Sequence, residues 1–200
     1  MKEEAYFASA YISNSDLKKL QKMISGDFED PADLKEIFDF GHLVENLILQ
    51  PHLADYSHKD IELAQKMADT FRKDPICQQL LYIHDLRRQH EWYRSNIHGI
   101  YARCKMDADS KLLSLVFELK GLAVDSERAF EAAIERFHYD MGLAWYLDVS
   151  GYRRALIVAV SKKSPERLFK RLVDRDHQYY KTGLVKVKKA VKLLRETIDI

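Results

Sequence analysis

The sequence predicts an α/β protein, a mixed sheet covered by helices on both faces in an α/β/α sandwich and preceded by a helical segment. Three observations lead there. The first 88 residues carry helical periodicity punctuated by Pro31, Pro51 and Pro75. Residues 90–120 alternate apolar and polar side chains around two turn signals. Residues 155–160, Ala-Leu-Ile-Val-Ala-Val, form the continuous apolar run expected of a strand buried on both faces.

Taken in order, Ser13-Asn14-Ser15-Asp16 supplies cap-forming residues, and the apolar positions that follow at helical spacing start a first helix. A second helix begins at Pro31 to Asp33, runs through Leu34, Ile37, Phe38, Leu43, Leu47 and Ile48, and stops before Pro51. A third is expected near 58–73 and a short fourth over 75–83. His90 to Arg94 reads as a strand, Asn96 to Gly99 as a turn and Ile100 to Met106 as a second strand. Asp109 to Lys111 is expected to turn, and a third strand to run from Leu112 to Lys120 with Gly121 ending it. Ser126 caps what reads as one long helix through Phe130, Ala133, Ile134, Phe137, Met141, Ala144 and Trp145. The apolar strand, a short strand at 167–172 and a last helix with Leu184, Val187, Val191, Leu194 and Ile198 on one face complete the chain.

At 200 residues, with no repeat, low-complexity tract or Gly/Ser linker, one domain spanning 1–200 is the expectation, mainly helical over 1–88 and α/β over 89–200. The 46% hydrophobic and 32% charged content is that of an ordinary globular chain, without an apolar run long enough to span a membrane. Met1-Lys2-Glu3-Glu4 is unlike a secretory signal, so a cytoplasmic protein with no membrane partner is expected. Cys77 and Cys104 are isolated, which excludes the usual zinc and iron–sulfur patterns and reads as two reduced thiols. Net charge is +1, but residues 151–200 carry 14 Lys and Arg against 5 Asp and Glu, whereas residues 1–150 carry 18 against 26. An acidic body with a basic tail suits a protein that binds metal in one place and phosphate in another.

The chemistry centres on Asp107 and, eleven residues on, Glu118-Leu119-Lys120. Strand side chains alternate, so Glu118 and Lys120 share a face while Phe117 and Leu119 take the other. A charged pair at the end of the apolar stretch Leu115-Val116-Phe117 is costly without a partner or a task. Asp107, at the end of the preceding strand, can reach the same place. Two carboxylates and an ammonium there make a hard-cation site for Mg²⁺ or Mn²⁺, with the lysine placed to act on a metal-bound water.

Several segments together resemble the PD-(D/E)XK nuclease superfamily, in its RecE-type exonuclease (exodeoxyribonuclease VIII-like) and RecB-like branch. Ser13 to Leu20 is similar to that family's opening S-x-S-x-L-K helix, and Phe40-Gly41-His42 to Pro51 to its Gly-x-x-x-His or Gly-His helix. Asp107 and Glu118-x-Lys120 match its core motif, and Tyr139 to Asp148 its Y-x-x-Q-x-A-x-Y helix, in the family's order. The resemblance covers residues 11–197. It implies a restriction-endonuclease-like sandwich and a Mg²⁺- or Mn²⁺-dependent deoxyribonuclease, with metal ligands His42, Asp107 and Glu118 and catalytic residues Asp107, Glu118 and Lys120. Glu91 and Tyr139 are additional active-site candidates, and Lys162, Lys163, Lys170 and Arg171 would track the DNA backbone. Such proteins resemble phage recombination exonucleases that work beside a single-strand annealing protein, with ring-like homo-oligomers among their assemblies. Two departures stand out: Gly142 replaces the glutamine of the Tyr helix, and Gly121 the threonine after the motif lysine. They keep open a module of the same fold that binds DNA or a protein without full activity.

Overall fold

The computed structural model describes residues 11–25 and 31–198. Helix α1 (Asn14–Ser25) is followed by α2 (Pro31–Leu49), a single 3₁₀ turn at Pro51–Leu53, α3 (Ile61–Lys73) and α4 (Pro75–Leu81). Strands β1 (Leu86–Ile97), β2 (Ile100–Ser110) and β3 (Leu115–Leu122) form the meander. Helices α5 (Glu127–Arg136) and α6 (Tyr139–Ser150) lead to β4 (Arg154–Ser161) and β5 (Leu168–Asp174), and α7 (Gln178–Ile198) closes the chain. The five strands lie in sequence order. Only β3 and β4 run parallel, joined by the α5–α6 crossover; the other neighbours are antiparallel.

The sheet separates two cores. On one face Val116, Ile157 and Ala159 pack with α1, α5, α6 and α7; on the other Phe117, Leu119, Leu156, Val158 and Val160 pack with α2, α3 and α4. This is the expected mixed α/β sandwich, and the β4 run is buried on both faces, as its lack of alternation requires. Both thiols are free and buried. Burial, aided by Asp74, pushes the Cys77 thiol up to about 12. No helix among the described residues is long and apolar enough to cross a membrane.

Three local expectations are corrected. The predicted long helix is two helices, α5 ending at Arg136 and α6 beginning at Tyr139, because His138 between them takes a left-handed φ of 53°. Neither Gly nor Pro marks the break, and the apolar spacing continues across it because both helices pack on the same core. Gly121 does not end β3 but pairs with Val160 inside it, where an added Cβ would press on Met67. Strand β2 runs to Ser110 rather than Met106, since Asp109 is fully buried and held by the Tyr152 hydroxyl and by Arg87.

Helix α1 is anchored at both ends of its first turn. Ser13 and Asp16 form a reciprocal capping box: the Ser13 backbone N–H and hydroxyl donate to Asp16 Oδ2 at 2.8 and 2.7 Å, and the Asp16 N–H donates to Ser13 Oγ at 3.3 Å. Ile12, just before it, makes a parallel bridge to β2 through Ile12 N–H to Tyr101 O and Arg103 N–H to Ile12 O, both 2.8 Å.

Candidate active site

The site is built where β2 and β3 part. Their register holds for three pairs, from Ser110–Leu115 to Ala108–Phe117, and ends there. Asp107 is the next residue of β2. Its carboxylate crosses the gap and accepts the Leu119 N–H at 2.7 Å, so the side chain satisfies a backbone donor that the lost pairing would have left bare. Glu118 and Lys120 share a face of β3, as alternation requires. The Lys120 ammonium lies 2.6 Å from Glu118 Oε1 and 3.5 Å from Asp107 Oδ2, so it bridges the two acids. Glu118 Oε2 is buried with no hydrogen-bond partner.

A fourth ionisable group comes from α2, and it is Glu45. His42 is exposed on that helix. Glu45, a turn further on, is crowded by protein and acted on by the charges of Asp107, Lys120 and Glu118. The Gln89 side-chain amide donates to Glu45 Oε1. Gln89 lies level with Asp107, between the Arg88–Ala108 and His90–Met106 pairs of β1 and β2, and takes a φ of 50°. A left-handed residue inside a strand is costly, and such strain gathers at functional sites. The sequence held a signal for Glu45: the Gly-x-x-x-His spacing counted from Gly41 ends on residue 45. No pattern pointed to Gln89.

The electrostatics follow from crowding. Burial first, then the Asp107 charge, pushes the Glu45 carboxyl up to about 8 and the Glu118 carboxyl up to about 7. Burial works against the charge on Lys120, but Asp107 and Glu118 outweigh it and hold its pKa well above the usual lysine value. Lys120 is therefore an ammonium here, a cation held between carboxylates.

Helix α6 roofs the site. The Tyr139 ring centre is 5.9 Å from Lys120 Nζ and 5.5 Å from Lys18 Nζ of α1. Lys18 donates to the Phe137 carbonyl at 2.9 Å. Tyr146, about two turns along α6, has its hydroxyl pKa raised by burial and by Glu118. Gly142 lies between them, and a Cβ there would stand 3.3 Å from the Asn14 side-chain amide. The space a glutamine would enter is thus taken by Asn14, whose Oδ1 is buried without a partner. Behind the site, Asp140 receives Lys186 Nζ at 2.6 Å and Thr182 Oγ1 at 3.2 Å.

The remaining expected residues are dispersed. Glu91 stands opposite Lys105 at the margin and accepts the Tyr93 hydroxyl at 3.2 Å. The basic track is not continuous. Lys170 and Arg171 are adjacent on β5 and so face opposite sides of the sheet; Lys170 pairs with Asp74 at 2.5 Å, and Arg171 with Glu127 at 2.5 Å and Glu131 at 2.9 Å. Lys163 faces Asp125 at 3.7 Å, and Lys162 rests over the Phe40 ring at 4.1 Å. Their charge is largely answered within the protein.

No family model matches the chain, and no curated protein does. Solved structures do. A structure from Eubacterium rectale, provisionally termed an exonuclease, superposes with a TM-score of 0.69 at 15% identity over 98% of this chain and 85% of its own. A phage-related exonuclease from Haemophilus somnus 129PT gives 0.49 at 13% identity over 97% of both chains. An alkaline exonuclease from Laribacter hongkongensis gives 0.45 at 11% identity over 94% of this chain and 90% of its own. At these identities the likeness is one of fold. The chain therefore shares the mixed α/β fold of the Eubacterium rectale structure, with Asp107, Glu118 and Lys120 gathered at the fork of its sheet.

Proposed function

We propose that the protein is a metal-dependent deoxyribonuclease that degrades DNA from an end. The observation that carries this reading is the convergence of Asp107, Glu118, Lys120 and Glu45, from three separate elements, on the fork between β2 and β3. Burial, and after it the repulsion among three acids in one crowded place, raises two of them toward neutrality.

The donor set suits Mg²⁺ or Mn²⁺, hard cations that take carboxylate oxygens. The orphaned Glu118 Oε2 and the proton-holding Glu45 are what a cation would satisfy. Among the described residues no three acid, His or Cys groups close around a single point; Lys120 holds the place between Glu118 and Asp107 instead. Asp107, Glu118 and Glu45 are the proposed ligands. A bound divalent cation would lower the pKa of a coordinated water and offset charge on the phosphate. The protein's own part is to keep Lys120 charged beside the reacting phosphate and to hold Asp107 in place through the Leu119 N–H.

The test is release of acid-soluble nucleotides from linear duplex DNA with Mg²⁺ or Mn²⁺. Digestion by the wild type that is lost in Asp107→Ala and in Lys120→Ala establishes the reading. A well-folded wild type that digests no linear, circular or single-stranded DNA overturns it and leaves a binding module. Work beside a single-strand annealing protein belongs to the same proposal and is tested by co-purification.

A further inference from the structure

Lys18 is a site cation that the proposed chemistry leaves unused. It projects from α1 into the cleft roofed by Tyr139, in contact with the same ring as Lys120. Its neighbours differ from those of the other lysines around the site. Lys120 is paired with Glu118 and Asp107, and Lys186 with Asp140. Lys18 donates one hydrogen bond, to the carbonyl of Phe137 at 2.9 Å, and among the described residues no carboxylate lies within ion-pair distance of it. Glu118 and Asp140 act on it only from further away, while Lys120 and Lys186 repel it.

An ammonium has three donors, and a carbonyl takes one. Holding a crowded, repelled cation without an anion is unfavourable unless an anion completes it. Lys18 is at the same time only half-buried, so its free donors can be reached from solvent. The capping box and the Ile12 bridge hold α1 against β2, which keeps the lysine in position before anything binds.

We propose that Lys18 binds a backbone phosphate of the DNA strand entering the site, as a positioning cation beside Lys120. This rests on the nuclease reading and adds a residue to it. A lysine contact to phosphate carries no base information, so its loss weakens binding alike for all sequences and lowers the salt dependence.

The experiment uses the full chain, without divalent metal so that no strand is cut, and a fluorescein-labelled 20-base-pair duplex read by anisotropy at several salt concentrations. Lys18→Met keeps the stem and removes the charge; Lys18→Arg keeps the charge. Expected are a Kd about tenfold weaker for Lys18→Met, a slope of log K against log salt lower by about one, and most of the binding recovered in Lys18→Arg. An unchanged Kd and slope in a folded Lys18→Met overturns the proposal, as does equal loss in both variants, which would mark a packing role. Should Lys18→Met not fold, reductive methylation of the wild type decides: protection of Lys18 by bound duplex supports the proposal and its absence overturns it. A wild type that digests DNA while Lys18→Met binds normally removes this proposal alone. A wild type that neither binds nor digests DNA removes the nuclease reading as well.

Discussion

Glu45 and His42 are three residues apart on one helix, yet only Glu45 shares its electrostatic surroundings with the motif acids. Replacing Glu45 with Gln keeps the shape and the Gln89 contact while removing the capacity to ionise. Losing a ligand or its support typically costs 10–100-fold in metal affinity or activity, so Glu45→Gln should lower the digestion rate by at least about tenfold. His42→Ala, at an exposed position, should stay within about twofold of wild type. Initial rates at saturating DNA check both, and the reverse order would return the ligand role to His42. The motif residues were legible because strand alternation and the D-x10-E-x-K spacing depend on local geometry alone. Glu45 was less so, because choosing between neighbouring residues on a helix needs the angle at which that helix meets the sheet. Gln89 was invisible, because nothing in its surroundings announces a left-handed residue within a strand.

At the scale of elements, the approach of α6 to its neighbours decides what the site can accept. Gly183 lets α7 pass against α6 so closely that a Cβ there would fall on the Asp140 carbonyl, a backbone group that cannot turn aside. Gly142 faces α1, and what a Cβ would meet is the Asn14 amide, a side chain that can rotate. Gly183→Ala should therefore cost stability in the overpacking range, about 1–3 kcal/mol or more. Gly142→Ala should cost much less, since removing a mid-helix glycine returns up to about 1 kcal/mol. Urea denaturation of the two variants should show that order. The order of elements and the buried β4 were readable from periodicity. The break between α5 and α6 was not, because His138 interrupts the backbone without interrupting the apolar face.

For the whole molecule, the raised acids link stability to pH. A carboxyl whose pKa is higher folded than unfolded favours the folded state while it holds its proton, and that advantage is lost as pH rises through the folded value. Glu118, pushed up to about 7, and Glu45, pushed up to about 8, should therefore make the metal-free protein lose stability between about pH 5 and pH 8. Thermal melts in a chelator should fall across that window, and the Glu45→Gln, Glu118→Gln double variant should flatten the fall. If the proposed metal binds these acids, it competes with their protons, so added Mn²⁺ should raise Tm more at pH 8 than at pH 6. A shift independent of pH would separate the metal from these groups.

The fork itself has a mechanical consequence. The β1–β2 hairpin is long, and only three residue pairs fasten it to the rest of the sheet before Asp107. Its far end is moored separately, by His98 to Asp148 at 2.8 Å and by Arg94 to the Val149 carbonyl at 3.1 Å, both on α6, so the hairpin is a span braced at two ends with Asp107 at the near one. A load at Asn96 to Gly99 falls first on α6, the helix that also lays Tyr139 over Lys120, before it reaches Asp107. The gap between Asp107 and Glu118 is therefore kept by a beam with two abutments, and slackening the distant one is a way to alter that spacing without touching either acid.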